Sequence, residues 1–152
     1  MYKRQDTEDS ALILFRTAAD VAGSAVISQL SAGRKNRLWV EIDGMEASAV
    51  FNQEQPEQLW VGAADGADLL VRDPTHGSAE QRRLSTLPAG HAQGYAQSFE
   101  AYVADSYAAV DAYAGRGEVP DGLPTFADGL RAAVICDAML RSAAEREWVT
   151  VG

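Results

Sequence analysis

The chain has 152 residues, of which 47% are hydrophobic and 23% are charged, and its formal net charge is -9. This length is enough for one compact core, and the hydrophobic fraction excludes an intrinsically disordered chain. The acidic balance argues against nucleic acid and against an anionic membrane surface as partners, because both require a basic footprint.

The first half of the chain predicts a series of short β-strands. They cover residues 10–16, 22–30, 37–43, 47–51, 59–63 and 69–72. Polar and apolar residues alternate in 37–43, which places Trp39 on the face opposite to Val40. Short links between successive strands predict a largely antiparallel sheet.

The second half predicts helices. Residues 74–90 are polar and aperiodic, so we expect a connecting loop there. From Gln93 onward apolar residues recur at helical spacing, and Gly115 ends this helix. Thr125 and Asp128 resemble a capping box that opens a second helix, which runs to about residue 146. Residues 148–151 predict a closing strand.

Strands followed by helices predict an α+β two-layer sandwich, a largely antiparallel open-faced sheet with helices packed on one face. The bare face carries Trp39 and Trp60. Scattered surface tryptophans are ordinary, but a large apolar sheet face more often serves association. We therefore expect a homodimer or higher oligomer that forms through the open sheet face.

The single cysteine, Cys136, excludes an internal disulfide and a cysteine-based zinc site. Because its neighbours are apolar, we expect a small buried hydrophobic residue rather than a nucleophile. The sequence indicates no catalytic nucleophile–base pair and no cluster of metal ligands. We see no signal peptide or membrane span, so we expect a cytoplasmic protein.

Several motifs together carry a family resemblance from about residue 6 to residue 151. The most specific are Gly90-His91-x-x-Gly94-Tyr95-x-x-x-Phe99 and Phe126-x-Asp128-Gly129, and segments 6–10 and 31–44 accompany them. In this order they resemble the carboxy-terminal end of the Gfo/Idh/MocA oxidoreductases, the glucose–fructose oxidoreductase and inositol dehydrogenase family. The family turn usually continues Gly-Thr-x-Gly, whereas this chain has Gly44-Met-Glu-Ala47.

The resemblance implies a domain organisation. Residues 1–5 are interpreted as a leader or tag-like start outside the family. Residues 6–152 are interpreted as a single substrate-side and dimerisation domain of an NAD(P)-dependent oxidoreductase. A nucleotide-binding domain would lie upstream in a full-length enzyme. Without it, we expect exposed leucine, isoleucine or methionine side chains on the last helix.

The family chemistry implied is oxidation or reduction of a sugar, cyclitol or related polyol with NAD or NADP. The family's Gly-x-Gly-x-x-Gly turn, Glu-Lys-Pro motif and Asp-x-x-x-His pair have no counterpart in this chain. Asp73-Pro-Thr-His76 has a shorter spacing, and we expect His76 to be solvated. We therefore expect this chain to bind no cofactor and to be inactive in isolation.

Four residues are candidates for substrate contact. His91 precedes the long helix, where a neutral imidazole can exchange hydrogen bonds with a substrate hydroxyl; the alternative is a histidine that caps or packs the helix. Tyr95 lies one turn further and either assists or belongs to the core. Arg34 and Asn36 lie in a loop that either reaches a polyol or is only solvated.

Three functions compete on this sequence. The first is the substrate-side and oligomerisation domain of a sugar or polyol oxidoreductase. The second is a stand-alone binding or assembly module with the same fold and no redox chemistry. The third, an unrelated small α+β enzyme, is disfavoured because no catalytic constellation is present.

Overall fold

The structure is a computed structural model that describes residues 8–152. Its elements are β1 (Ser10–Arg16), β2 (Ala22–Ser28), β3 (Trp39–Asp43), β4 (Ala47–Asn52), β5 (Gln58–Ala63), β6 (Gly66–Val71), α1 (Ala79–Leu84), α2 (Tyr95–Tyr113) and α3 (Phe126–Glu145). The predicted α+β class and the antiparallel pairing are confirmed. The predicted leader at residues 1–5 lies outside the described residues.

The strands form two sheets instead of the single predicted one. β1 and β2 make a two-stranded sheet, and the other four strands pair in the order β3-β4-β5-β6. The link between the two sheets, residues 29–38, is irregular and turns at Gly33, whose φ is +82°. Glycine readily adopts a φ of this sign, which favours a turn at this position.

The chain divides into two compact units. Among the described residues, one unit contains 8–34 together with Pro124–Gly152, and the other is Lys35–Leu123. The first unit holds the β1–β2 hairpin, in which Leu12 lies opposite Val26 and both side chains are exposed. A two-stranded hairpin is only marginally stable in water, so this unit depends on further packing.

The second unit holds the four-stranded antiparallel sheet. Its register sets Trp39 opposite Asn52, Val50 opposite Trp60, and Trp60 opposite Leu69. Because residues directly opposite in a ladder share a face, Trp39 and Trp60 lie on the same face. The predicted placement of both tryptophans on one face is confirmed.

The helix boundaries follow from local capping. Thr125 Oγ1 accepts from the Asp128 N–H, while the Asp128 carboxylate accepts from the Thr125 N–H, so the predicted capping box of α3 is confirmed. The prediction of an unbroken loop over 74–90 was wrong, since α1 lies within it. Ser78 and Gln81 form the capping box that starts α1, a Ser-x-x-Gln signature visible in the sequence.

The predicted closing strand at residues 148–151 was also wrong. This segment has no ladder partner among the described residues, and its Thr150 carbonyl accepts from Arg141 Nη2 of α3 at 3.4 Å. The residues on either side of the segment also bind α3. Arg131 donates to the Gly152 carbonyl at 2.7 Å, and Ser142 donates to the Glu147 carbonyl at 2.6 Å. Hydrogen bonds to a helix replace those that a strand would make.

Apolar burial within the described chain is slight. In the part of the chain that the structure describes, the only buried hydrophobic side chains are those of Ala109 and Ala138, each 7% exposed. Leu130 is 67% exposed and Leu140 is 53% exposed, which confirms the predicted apolar exposure on the last helix. The buried position predicted for Cys136 was wrong: the residue is exposed in the described chain. No helix in the described region has the length and apolar character needed to cross a bilayer.

Candidate functional site

The candidate site centres on residues 85–94, here called the His91 loop, which connects α1 to α2. Arg72, just after β6, reaches this loop with its guanidinium. Its Nε donates to Glu57 Oε1 at 2.9 Å, and its Nη1 donates to the Leu87 carbonyl at 2.9 Å. Its Nη2 donates to the His91 carbonyl at 2.8 Å. One side chain therefore binds the loop at two separate places.

Gln93, which belongs to the same loop, stabilises it by hydrogen bonds to other loop residues and to the end of α1. Its Oε1 accepts the N–H groups of Thr86 at 2.9 Å and Leu87 at 3.3 Å, and its Nε2 donates to the Leu84 carbonyl at 2.6 Å. Its own N–H donates to Glu57 Oε1 at 2.8 Å. Glu57, Arg72 and Gln93, here called the clamp, thus form one connected network.

The positive charge of Arg72 and the negative charge of Glu57 neutralise each other within the clamp. The Arg72 and Glu57 side chains are only 14% and 21% exposed, so each charge is largely removed from water and needs its partner. The pKa of Glu57 is lowered, first by the Arg72 hydrogen bond and then by the Gln93 N–H and the Arg72 charge, against the opposing effect of burial. Glu57 is therefore an ionised acceptor at neutral pH.

His91 is held through its main chain and not through its ring. Its N–H donates to the Pro88 carbonyl at 3.1 Å, closing a turn in which Gly90 has a φ of +81°. This left-handed value at the third position of the turn is readily adopted by glycine. The His91 side chain is exposed, so the imidazole is presented to solvent at the start of α2.

Tyr95 is the first residue of α2, and 81% of it is exposed. This exposure disagrees with the alternative that Tyr95 belongs to the core of this chain. Gly94 caps the helix, and its N–H donates to Gln97 Oε1 at 2.9 Å. His91 and Tyr95 therefore stand on either side of one helix start, both with exposed side chains.

Arg34 and Asn36 lie elsewhere along the chain, in the link ahead of β3. Both are exposed. The Arg34 N–H donates to the Ser31 carbonyl at 3.1 Å, and the Asn36 carbonyl accepts from Gln53 Nε2 at 3.0 Å. Both contacts use main-chain atoms of Arg34 and Asn36 and stabilise the conformation of the link. Contact of either side chain with a polyol stays a prediction.

The tryptophan face of the four-stranded sheet is the second candidate surface. Trp39 is 45% exposed and Trp60 is 39% exposed. The Arg37 guanidinium lies 5.0 Å from the centre of the Trp39 ring, and Trp39 Nε1 donates to Glu41 at 3.3 Å. Both contacts favour one orientation of the exposed indole.

Residues 73–76, whose spacing is shorter than that of the family's Asp-x-x-x-His pair, form a local turn. His76 Nδ1 lies 3.3 Å from Asp73 Oδ2, and the exposed His76 side chain confirms the predicted solvation. Hydrogen bonds from Thr75 lower the pKa of Asp73. Among the residues that the structure describes, no three histidine, cysteine or acidic side chains come together as a metal site.

Sequence reasoning missed the clamp. Glu57 and Gln93 are separated by 36 positions, and Arg72 stands 15 positions from Glu57, so no local spacing marks the contact. The available signal was Gln93 itself, which lies between His91 and Gly94 in the most specific family motif. Arg72 at the end of a strand and Glu57 at the start of its neighbour were further signals.

The chain was compared with known proteins along its whole length. No protein-family model matches the chain. Levoglucosan dehydrogenase from Pseudarthrobacter phenanthrenivorans is 35% identical over 153 residues, which cover 96% of this chain and 37% of that protein. The chain therefore spans little more than a third of the curated relative it matches.

Two solved structures are similar along almost the whole chain. Levoglucosan dehydrogenase in complex with NADH and levoglucosan matches with a TM-score of 0.75 at 33% identity, over 96% of this chain and 39% of that one. An oxidoreductase from Sinorhizobium meliloti matches with a TM-score of 0.83 at 28% identity, over 96% of this chain and 42% of that one.

Proposed function

We propose that this chain, a homologue of the carboxy-terminal part of the Gfo/Idh/MocA-type oxidoreductases, is the substrate-side and oligomerisation part of an NAD-dependent sugar or polyol oxidoreductase. The observation that supports this proposal most strongly is the 35% sequence identity to levoglucosan dehydrogenase along 96% of the chain. Neighbouring structures with NADH bound support NAD as the cofactor of the complete enzyme. In isolation the chain is proposed to be inactive.

The chain's own residues do not fit a dinucleotide. Within residues 8–152, a strand leads directly to a helix only at β6 and α1, and the connecting residues 72–78 contain a single glycine, Gly77. A pyrophosphate cradle requires several glycines at such a turn. We therefore assign this chain no step in hydride transfer, which needs a cofactor held by other residues.

The proposed role of the site is to bind and orient the substrate. A neutral His91 imidazole donates one hydrogen bond and accepts another, which suits a sugar hydroxyl that also does both. The Tyr95 phenol offers a second hydroxyl partner across the helix start. Orienting the reacting carbon in this way lowers the barrier without any covalent chemistry at these residues.

The tryptophan face is the proposed oligomer interface. Trp39, Trp60 and Leu69 expose apolar surface on one side of the sheet. Aromatic side chains that become desolvated at the centre of an interface dominate binding energetics. The charged Arg37 and Glu41 beside Trp39 suit the polar rim of such an interface.

The competing function, a stand-alone binding module, is weakened by the exposure of Leu130 and Leu140. A self-sufficient domain would cover these side chains, since burying a leucine contributes about 1.5–3 kcal/mol. Their exposure fits a chain that packs against further protein in the complete enzyme.

A chimera tests the proposed function. The matched region of the Pseudarthrobacter levoglucosan dehydrogenase is replaced by this chain, and NADH formation is measured with levoglucosan and a panel of sugars and polyols. We expect NAD-dependent oxidation by the chimera and none by the isolated chain. A folded chimera that binds NADH but oxidises no member of the panel would contradict the proposal.

A further inference from the structure

We infer that Arg72 is a positioning residue, which sets the place of His91 by gripping the main chain of the His91 loop. The inference concerns the loop geometry and stands without the proposed function. Its extension to substrate binding rests on that function.

Only a guanidinium can make this set of hydrogen bonds to the His91 loop and to Glu57. Arg72 Nη1 and Nη2 donate to the carbonyls of Leu87 and His91, while Nε is occupied by Glu57. Nη2 also lies 3.5 Å from the Pro88 carbonyl. A planar fork with five N–H donors can serve these acceptors at once, whereas a lysine ammonium is a point charge with three donors on a flexible stem.

Glu57 orients the Arg72 guanidinium. The same carboxylate oxygen, Oε1, accepts both from Arg72 Nε and from the Gln93 N–H. It orients the guanidinium toward the loop and joins that guanidinium to the residue just before the cap of α2. The loop is therefore held on both sides of His91, at Leu87 and at Gln93.

Arg72 acts through His91 and does not contact substrate itself. Its Nε, Nη1 and Nη2 atoms all donate to protein oxygens, and its side chain is only 14% exposed. Arg72 binds the carbonyl of His91, a residue whose side chain is exposed. Loss of the grip is expected to move His91 while leaving the chemistry of its ring unchanged.

Amide hydrogen exchange on the full chain tests the loop geometry. The probes are the N–H groups of Thr86, Leu87, His91 and Gln93, all hydrogen-bonded within this network. In Arg72→Lys we expect these amides to exchange about tenfold faster or more, because charged hydrogen bonds are lost. Amides of β4 and β5 are expected to stay within about twofold of the wild type.

Arg83→Lys is the matched control. Arg83 also makes a multiple ion pair, with Glu80 and Asp105, but it binds no carbonyl of the His91 loop. We expect the loop amides to be unaffected in this variant. Equal acceleration in both variants, or none in Arg72→Lys, would overturn the inference.

Gln93→Met keeps the inference falsifiable should Arg72→Lys fail to fold. This substitution preserves side-chain length and removes the hydrogen bonds to Thr86, Leu87 and Leu84. Because Arg72 still holds Leu87 and His91, we expect faster exchange at Thr86 while His91 remains protected. Loss of protection at His91 equal to that at Thr86 would show that Arg72 does not position the loop.

A double-mutant cycle in the chimera tests the extension to substrate. Arg72→Lys is expected to raise the KM for the sugar, and His91→Ala to raise it as well. If Arg72 acts through His91, Arg72→Lys adds no further increase in a His91→Ala background. Additive effects would contradict the positioning role, whereas an inactive chimera with intact loop effects would contradict only the proposed function.

Discussion

The indole of Trp60 lies over Gly62, two residues further along β5, and a Cβ at Gly62 would overlap the ring. Gly62 is buried although it shares a face with the exposed Trp60, and the ring accounts for this. An aromatic side chain that covers a strand glycine in this way compensates for the missing side chain of the glycine. The orientation of Trp60 is thus fixed by its own strand.

Gly62→Ala is expected to displace the indole and to lower the free energy of unfolding by about 1 kcal/mol or more, since overpacking is destabilising. Denaturant unfolding followed by tryptophan fluorescence measures both effects. Gly129→Ala is the control, because a Cβ at Gly129 meets nothing and the site lies within α3. That control is expected to gain roughly 0.5–1 kcal/mol. Equal effects of the two substitutions would refute the account of Trp60.

Trp39→Glu is expected to prevent association through the tryptophan face, because it removes an aromatic anchor and places a charge in surface that the interface would desolvate. Sedimentation velocity at high micromolar concentration should show an oligomer for the wild type and a monomer for the variant. Trp148→Glu, an exposed tryptophan in the other unit, is the control and should leave the oligomer intact. A monomeric wild type would rule out the proposed interface.

The Glu57 carboxylate is expected to make stability depend on pH in the acid range. Its pKa is lowered in the folded chain from an ordinary value of 4.5. A lowered folded pKa contributes stability that is present above 4.5 and is lost as pH falls through the folded value.

The comparison of wild type with Glu57→Gln isolates this contribution from those of Asp73 and Asp128, whose pKa values are also lowered. Urea unfolding from pH 7 into the acid range should show the wild type more stable at neutral pH. The difference between the two proteins should shrink as pH falls below 4.5. A difference that stays constant over this range would count against the clamp.

Cys136 gives a direct probe of what covers α3. The thiol is exposed in this chain, so a disulfide reagent should label it stoichiometrically under native conditions. If the remainder of the oxidoreductase packs against this side of α3, labelling in the chimera should be at least about tenfold slower. Equal labelling rates in the isolated chain and in the chimera would show that α3 remains uncovered.

Local signals predicted much of the fold. The alternation around Trp39 and the Thr125–Asp128 capping box each specify a local structure, and both were confirmed. The errors arose where distant contacts decide. Cys136 sits in an apolar sequence, but burial requires a covering element that periodicity cannot reveal. The segment at 148–151 has the composition of a strand, but α3 binds the residues on either side of it. Arg131 donates to the Gly152 carbonyl, and Ser142 donates to the Glu147 carbonyl.

The candidate site was predicted only in part. The motif around His91 marks the loop because its glycines and its helix start are local features. The grip of Arg72 and Glu57 on that loop depends on the pairing of β5 with β6, which sets the Arg72 N–H against the Glu57 carbonyl at 2.8 Å. A contact made by sheet register leaves no trace in sequence spacing.

The most direct test of the substrate-side role is the kinetic effect of His91→Ala in the chimera. We predict that the KM for the sugar rises about tenfold or more, as expected for loss of a hydrogen bond to substrate, while the dissociation constant for NADH is unchanged. An unchanged KM, or weakened NADH binding at unchanged KM, would contradict the assignment of this chain to the substrate side.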